Sequence, residues 1–271
     1  GLQTPAVSAA AKAMAASLLG GERKAILLGN AAAHHAQASQ LLALSNWIAR
    51  QTGASLGYLT EAANTVGAQL AGAQPIATGL NAGQMLGGQL KAVILLNNEP
   101  EFDSVAGAQA AAGLEHAQMV VTMSPFKANM AFCDVLLPIA PFTETPGTFV
   151  NAEGRIQSFH AVVKPLGETR PAWKVLRVLG NMLGLPGFDF DSSADVLAQG
   201  FGPATDGLTN VPADKLGNST QALAMASSAP VARPAVAAIY QLDGLVRRAS
   251  ALQLTADARQ VALSPEQEVH A

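Results

Sequence analysis

Residues Cys133–Gln157 read CDVLLPIAPFTETPGTFVNAEGRIQ, and the fold is read outward from them. Asp134, Val135, Leu136 and Leu137 have the composition of a short buried strand. Thr145-Pro146-Gly147 is a turn, Thr148 to Asn151 an extended piece, Ala152-Glu153-Gly154 a second turn, and Arg155 to Phe159 a returning strand, which together predict a hairpin. Polar residues crowd it: Glu144, Asn151, Glu153, Arg155 and Gln157. The two glutamates are conceivable as a general acid and base, but no nucleophile, metal ligand or oxyanion donor accompanies them. Bracing is the preferred reading. Glu144 or Glu153 can offer Arg155 a bidentate partner, while Asn151 and Gln157 satisfy backbone groups across the hairpin.

Upstream, short apolar bursts end in Gly or Asn loops and alternate with helical runs. Lys24–Leu28 (KAILL) runs into Gly29 and Asn30; Ala92–Leu96 (AVILL) runs into Asn97, Asn98, Glu99 and Pro100; Met119–Met123 (MVVTM) runs into Ser124 and Pro125. Helices are predicted over Pro5–Leu19, Ala36–Gln51, about Val105–Leu114 and Pro171–Leu183, with glycines at several of the ends. The glycine-rich span Leu56–Gly88 reads as a long, partly irregular segment with short helices. Strands alternating with helices imply an α/β fold with a doubly wound, mostly parallel sheet, joined here by the β-hairpin. Residues 1–187 are expected to form this domain and 188–271 a C-terminal extension, loosely ordered over about 203–234, with Ile239–Leu254 apolar enough to dock.

Composition excludes several functions. Charged residues make up 13% of the 271, hydrophobic residues 49%, and the net charge is -3, so the chain offers no basic face to nucleic acid. Mean hydropathy is +0.25, yet no window reaches the roughly 18 uninterrupted apolar residues of a membrane-spanning helix. A surface so poor in charge suits a subunit packed against others. Cys133 is the single cysteine, which excludes an internal disulfide and a self-contained iron-sulfur cluster. The chain begins at Gly1 without a signal peptide, and a fragment of a longer protein is expected.

The remaining candidates read better as structure than as chemistry. Gly29–His35 lacks the spacing of a dinucleotide fingerprint. His34 and His35 are adjacent, so they do not converge on a metal, and loop histidines are expected. Ser124 lacks the context of a nucleophile elbow and is read as a cap or turn. Asp189, Asp191 and Asp195 lack the glycine and glutamate of a calcium loop, and Ser192 or Ser193 reads as a helix N-cap. Cys133 lies in an apolar run and reads as an inert thiol.

The Cys133–Gln157 run, followed by Pro165, Gly167, Arg170, Pro171 and Trp173, resembles the molybdopterin oxidoreductase family, which carries an Asp-Val-x-Leu-Pro strand, a Glu, Gly-Thr, Asn, a Glu-Gly-Arg-x-Gln hairpin and a downstream Trp. In this chain the pattern falls on Asp134, Glu144, Gly147, Thr148, Asn151, Glu153, Gly154, Arg155 and Gln157. The resemblance covers about residues 5 to 186, and the segment IYQLDGLVRRASALQLT is similar to one branch, the large G subunit of bacterial NADH-quinone oxidoreductase, respiratory complex I. Molybdenum enzymes of the family hold a pterin guanine dinucleotide through loops matching Gly29, Asn30, Asn97, Asn98 and Ser124 to Phe126. The complex I branch implies a relic crevice with no cofactor or metal in this portion, and iron-sulfur clusters in a cysteine-rich N-terminal part. It also implies other subunits of the peripheral arm as partners and a cytoplasmic location peripheral to the inner membrane. Glu99 in the Asn-Pro loop, with Lys127 as the one cation expected nearby, favours that branch, because a phosphate would be repelled. A genuine molybdenum oxidoreductase such as a formate dehydrogenase is the alternative.

Overall fold

Apolar runs too short for helices become parallel strands, and turn residues such as Gly29 and Asn30 after β1 (Ala25–Leu28) and Asn97 after β3 (Ala92–Leu96) release the chain into a crossover. The structure, a computed structural model, describes residues 6–104, 106–201, 210–211, 216–217 and 239–263. These fall into two units: 6–70, 150–156, 210–211 and 216–217 in one, the other described residues in the second.

In the first unit, α1 (Ala9–Gly20) is capped by Ser8, whose Oγ accepts the Ala11 N–H at 3.1 Å. Strand β1 (Ala25–Leu28) leads through α2 (Asn30–Ala33) and α3 (Ala38–Thr52) to β2 (Ser55–Tyr58), which pairs with β1 in parallel from Ala25↔Ser55 to Leu28↔Tyr58. Gly53 closes α3 with φ 70°, a left-handed conformation that glycine adopts without strain. Sequence reasoning missed β2, placing Leu56 at the start of an irregular span. Four residues containing Gly57 carry too weak a strand signal, and it is the pairing with β1 that makes them one. Helix α4 (Thr65–Leu70) follows.

The second unit begins with α5 (Ala82–Met85), whose N-terminus carries a reciprocal box of Asn81 and Gln84. Strand β3 (Ala92–Leu96), the one-turn helix α6 (Pro100–Asp103), α7 (Ala108–Leu114), β4 (Met119–Ser124) and β5 (Val135–Pro138) build a parallel sheet in the order β3-β4-β5. Leu95, Leu114 and Val120 form its buried cluster, with Leu86, Val93, Ala117, Phe132 and Cys133 packed against them. The alternate β3 residues Ile94 and Leu96 are 51% and 47% exposed. The α/β architecture with parallel sheets is therefore as the sequence implies, although the strands stand in two parallel sheets plus a two-stranded hairpin sheet.

The hairpin consists of β6 (Gly147–Val150) and β7 (Ile156–Phe159). Its tip groups with the first unit, where the Val150 N–H donates to Asn64 Oδ1 at 2.8 Å; its base groups with the second, where Phe149 and Phe159 meet edge to face at 5.2 Å. Helices α8 (Ala172–Met182), α9 (Ser193–Phe201), α10 (Gly244–Arg248), α11 (Ser250–Gln253) and α12 (Ala256–Leu263) complete the second unit. The first unit runs to Leu70 before the hairpin tip rejoins it, and residues 239–263 of the expected extension group with the β3-β4-β5 sheet. The loose order expected over 203–234 lies outside the described residues, apart from four positions. Two of these continue the hairpin tip: Asn210 bridges Arg155, and the Val211 N–H donates to the Gly154 carbonyl at 2.7 Å.

Candidate functional site

Open parallel sheets bind ligands beyond the carboxyl ends of their strands, and in the second unit that edge is built by the loops after β3 and β4. Asn97 leaves β3 in a left-handed turn, φ 48°, and its N–H continues the ladder to the Met123 carbonyl at 2.8 Å. The Asn98 carbonyl accepts Asn129 Nδ2 at 2.9 Å, and the same amide reaches Thr122 Oγ1 at 3.3 Å. Ser124, 4% exposed, turns its Oγ to the Phe126 N–H at 3.1 Å, which is the turn role expected of it. Glu99 is the N-cap of α6 with Pro100 at its first position, and its N–H donates to Asp103 Oδ2 at 2.7 Å. Two carboxylates therefore share one helical turn at the crevice.

Helix α10 brings two guanidinium groups to them. Arg248 forms a two-pronged pair with Glu99, Nη1 to Oε1 at 2.8 Å and Nη2 to Oε2 at 2.9 Å. Arg247 donates through Nη1 to Asp103 Oδ1 at 2.9 Å and stands with Nη2 3.5 Å from Glu99 Oε1. Each arginine also lies over a ring, Arg247 5.0 Å from the Phe102 centroid and Arg248 4.1 Å from that of Phe126. The Arg248 side chain is the more open at 36% exposure; Arg247 is at 8% and Glu99 at 13%. Hydrogen bonding from Arg248 holds the Glu99 carboxyl below the usual glutamate range; burial opposes this, and the charges of Arg248 and Arg247 add to it. Sequence reasoning missed this cluster. It allowed the crevice only Lys127, because the arginines lie well over a hundred positions downstream, in a segment credited only with enough apolar residues to dock. The one readable signal was Asp243 before a short helical run: its Oδ1 accepts the N–H groups of Leu245 and Val246.

A cavity of about 210 Å³ remains here, lined among others by Asn97, Glu99, Asp103, Phe126, Asp243 and Arg247. Its lining holds three carboxylates against one guanidinium, and that guanidinium is already paired.

The hairpin is braced through Asn151, as the sequence suggested, but not through an ion pair of Arg155. Among the described residues no carboxylate lies within ion-pair distance of Arg155, whose side chain is exposed; Glu144 instead accepts the Leu166 N–H at 2.9 Å, and Glu153 is exposed. Asn151 is the centre of the brace, its Oδ1 accepting the N–H groups of Glu153 at 3.0 Å and Arg155 at 2.9 Å. Thr148 Oγ1 meets Ser158 Oγ across the strands at 2.9 Å, and Gln157 is exposed. Gly154, with φ 81°, supplies the left-handed turn residue, and a Cβ on Gly147 would lie 2.6 Å from Phe159 Cζ. Asp134 stitches β5 to β4: its Oδ2 accepts the Val120 N–H at 2.7 Å and its own N–H reaches the Val120 carbonyl at 2.9 Å. In the first unit Gly29 caps α2 and Asn30 is its first residue.

The minor candidates take structural places. His34 Nε2 lies 2.7 Å from Glu61 Oε2, and His35 Nδ1 accepts the Gln37 N–H. Ser192 and Asp195 form a reciprocal cap at α9, Ser192 Oγ accepting the Asp195 N–H and Asp195 Oδ2 accepting that of Ser192. Among the described residues no group of three His, Cys, Asp or Glu side chains is placed to hold a metal ion.

The strands, crossovers and hairpin describe an α/β domain built on parallel sheets. The chain belongs to the molybdopterin oxidoreductase family, which it matches over residues 4–182. It is 34% identical over 113 residues to the probable oxidoreductase YjgC of Bacillus subtilis (strain 168), a stretch covering 41% of this chain and 11% of that protein. Over 74 residues it is 42% identical to a protein of Staphylococcus aureus (strain bovine RF122 / ET3-1) and 38% identical to one of strain USA300, both named as formate dehydrogenases; these stretches cover 27% of this chain and 8% of each relative. The matched stretches thus span about a tenth of the curated relatives' lengths.

The family's pterin dinucleotide does not fit the crevice residues. Pockets for ligands of ordinary size run from about 300 to 1,000 Å³, above the 210 Å³ found here. A pyrophosphate needs surplus positive charge or free N–H groups at a helix start. Here the N-cap position of α6 is Glu99, and both nearby guanidiniums are held by carboxylates.

Proposed function

We propose that this chain is the molybdopterin-oxidoreductase-like portion of the G subunit of NADH-quinone oxidoreductase, supporting the electron-transfer arm without holding a cofactor itself. The observation that supports this reading is the self-neutralised crevice: Glu99 and Asp103 stand beyond the carboxyl end of β3, and Arg247 and Arg248 pair with them. In this role the chain positions neighbouring subunits of the peripheral arm, and the low charge content of 13% suits a surface that meets other proteins. Electron transfer then belongs to iron-sulfur clusters elsewhere in the subunit. A second reading, part of a molybdenum enzyme acting on formate, is favoured by the similarity to relatives named as formate dehydrogenases.

Elemental mass spectrometry on the purified full-length protein separates the two. The scaffold reading expects molybdenum far below one atom per chain. Stoichiometric molybdenum would overturn it in favour of the enzyme.

A further inference from the structure

The contacts of α10 are more specific than charge neutralisation requires. Glu99 meets Arg248 fork to fork, a geometry that lysine cannot reproduce. Each guanidinium hydrogen-bonds a different carboxylate and lies over a different ring, Asp103 and Phe102 for Arg247, Glu99 and Phe126 for Arg248, while Arg247 also stands within ion-pair distance of Glu99. The two carboxylates are spaced four residues apart on one turn, and the Glu99 N–H donates to Asp103 Oδ2 within that turn. The incoming segment is shaped as well. Gly244 lets α10 approach closely, since a Cβ there would stand 3.3 Å from Phe126 Cε2 and 3.4 Å from Glu99 Oε1. Gln253 Nε2 holds the other end, donating to the carbonyls of Val246 at 2.8 Å and Tyr240 at 3.0 Å.

We propose that the turn Glu99–Asp103 with Phe126 is a receptor for two adjacent guanidinium groups, filled in cis by Arg247–Arg248, so that α10 acts as a latch across the crevice beyond β3 and β4. The ligand class is an Arg-Arg peptide segment. The latch follows from the geometry of this unit alone and does not depend on the scaffold role; metal content tests that role, whereas the measurements below read only the latch.

Hydrogen–deuterium exchange of the intact chain, followed by mass spectrometry, reads the docking of residues 243–253. Arg248→Lys keeps the charge but loses the fork, and exchange in this segment should accelerate about tenfold, the effect of losing one good charge-assisted hydrogen bond. The exchanged pair Glu99→Arg with Arg248→Glu should recover most of the protection that either single change removes. As a test in trans, a synthetic peptide of residues 242–255 added to the Arg247→Ala/Arg248→Ala variant should restore protection at residues 97–104, while the same peptide with both arginines changed to lysine should not. Wild-type exchange rates in Arg248→Lys, or equal protection by the lysine peptide, would overturn the proposal. The lysine variant retains every charge, so it stands as a test even if the reversed pair fails to fold.

Discussion

Asn151 and Arg155 illustrate why a polar cluster in a sequence does not reveal which member holds the structure. A short amide at the start of a tight turn reaches the backbone N–H groups two and four positions on, whereas Arg155, four residues later, is exposed. Asn151→Ala should lower stability by about 1–2 kcal/mol, since it leaves two turn N–H groups without their acceptor, and Arg155→Ala should change it by less than about 0.5 kcal/mol, as for an exposed side chain. Thermal or urea unfolding of the two variants gives the comparison, and the reverse order would show that Arg155 carries the brace. The residue types were legible here because turn chemistry is local. The lack of a carboxylate beside Arg155 among the described residues was not, because opposite charge in sequence says nothing about which side chains face each other. Asp134 is the converse: the sequence read it as part of a strand and of the family pattern, and the structure shows the bond it makes, to the neighbouring strand's backbone at Val120.

At the scale of elements, β1, β3, β4 and β5 were legible because each is a continuous apolar run closed by a turn residue. β2 and α10 were not, since their identity depends on what they pair with. The α10 latch also sets a pH dependence. Glu99 in the folded chain has its carboxyl held below the ordinary glutamate range, so between the two values the unfolded chain binds more protons. Stability from this pair is therefore fully present above the ordinary glutamate range and is lost as pH falls through it towards the depressed value. Melting temperatures measured down an acid series should fall more steeply for the wild type than for Glu99→Gln, whose side chain does not titrate. Parallel curves for the two would show that the pair contributes nothing to folding. Because Arg247 and Glu99 are mostly buried, added salt should weaken the latch only modestly.

For the whole molecule, the family could be read from one run of residues and the α/β class from the strands and helices alternating before it, but the division into units could not. The hairpin belongs to two units at once, its tip with β1 and β2 and its base with the second sheet, and no shift in composition marks that change. The two arginines at the crevice were missed for a related reason. The crevice's charge balance is settled by residues about 150 positions apart, a separation across which only the folded chain brings groups together. The same closure bears on how the protein would be cut. A trypsin-like protease recognises arginine by drawing its side chain into an acidic pocket, and at Arg247–Arg248 the fold's own carboxylates already hold both side chains. Brief digestion should therefore spare this dibasic bond and release early fragments elsewhere, for instance after exposed Arg23; peptide mapping of the first cleavage products would show a doublet that looks vulnerable in the sequence surviving in the fold.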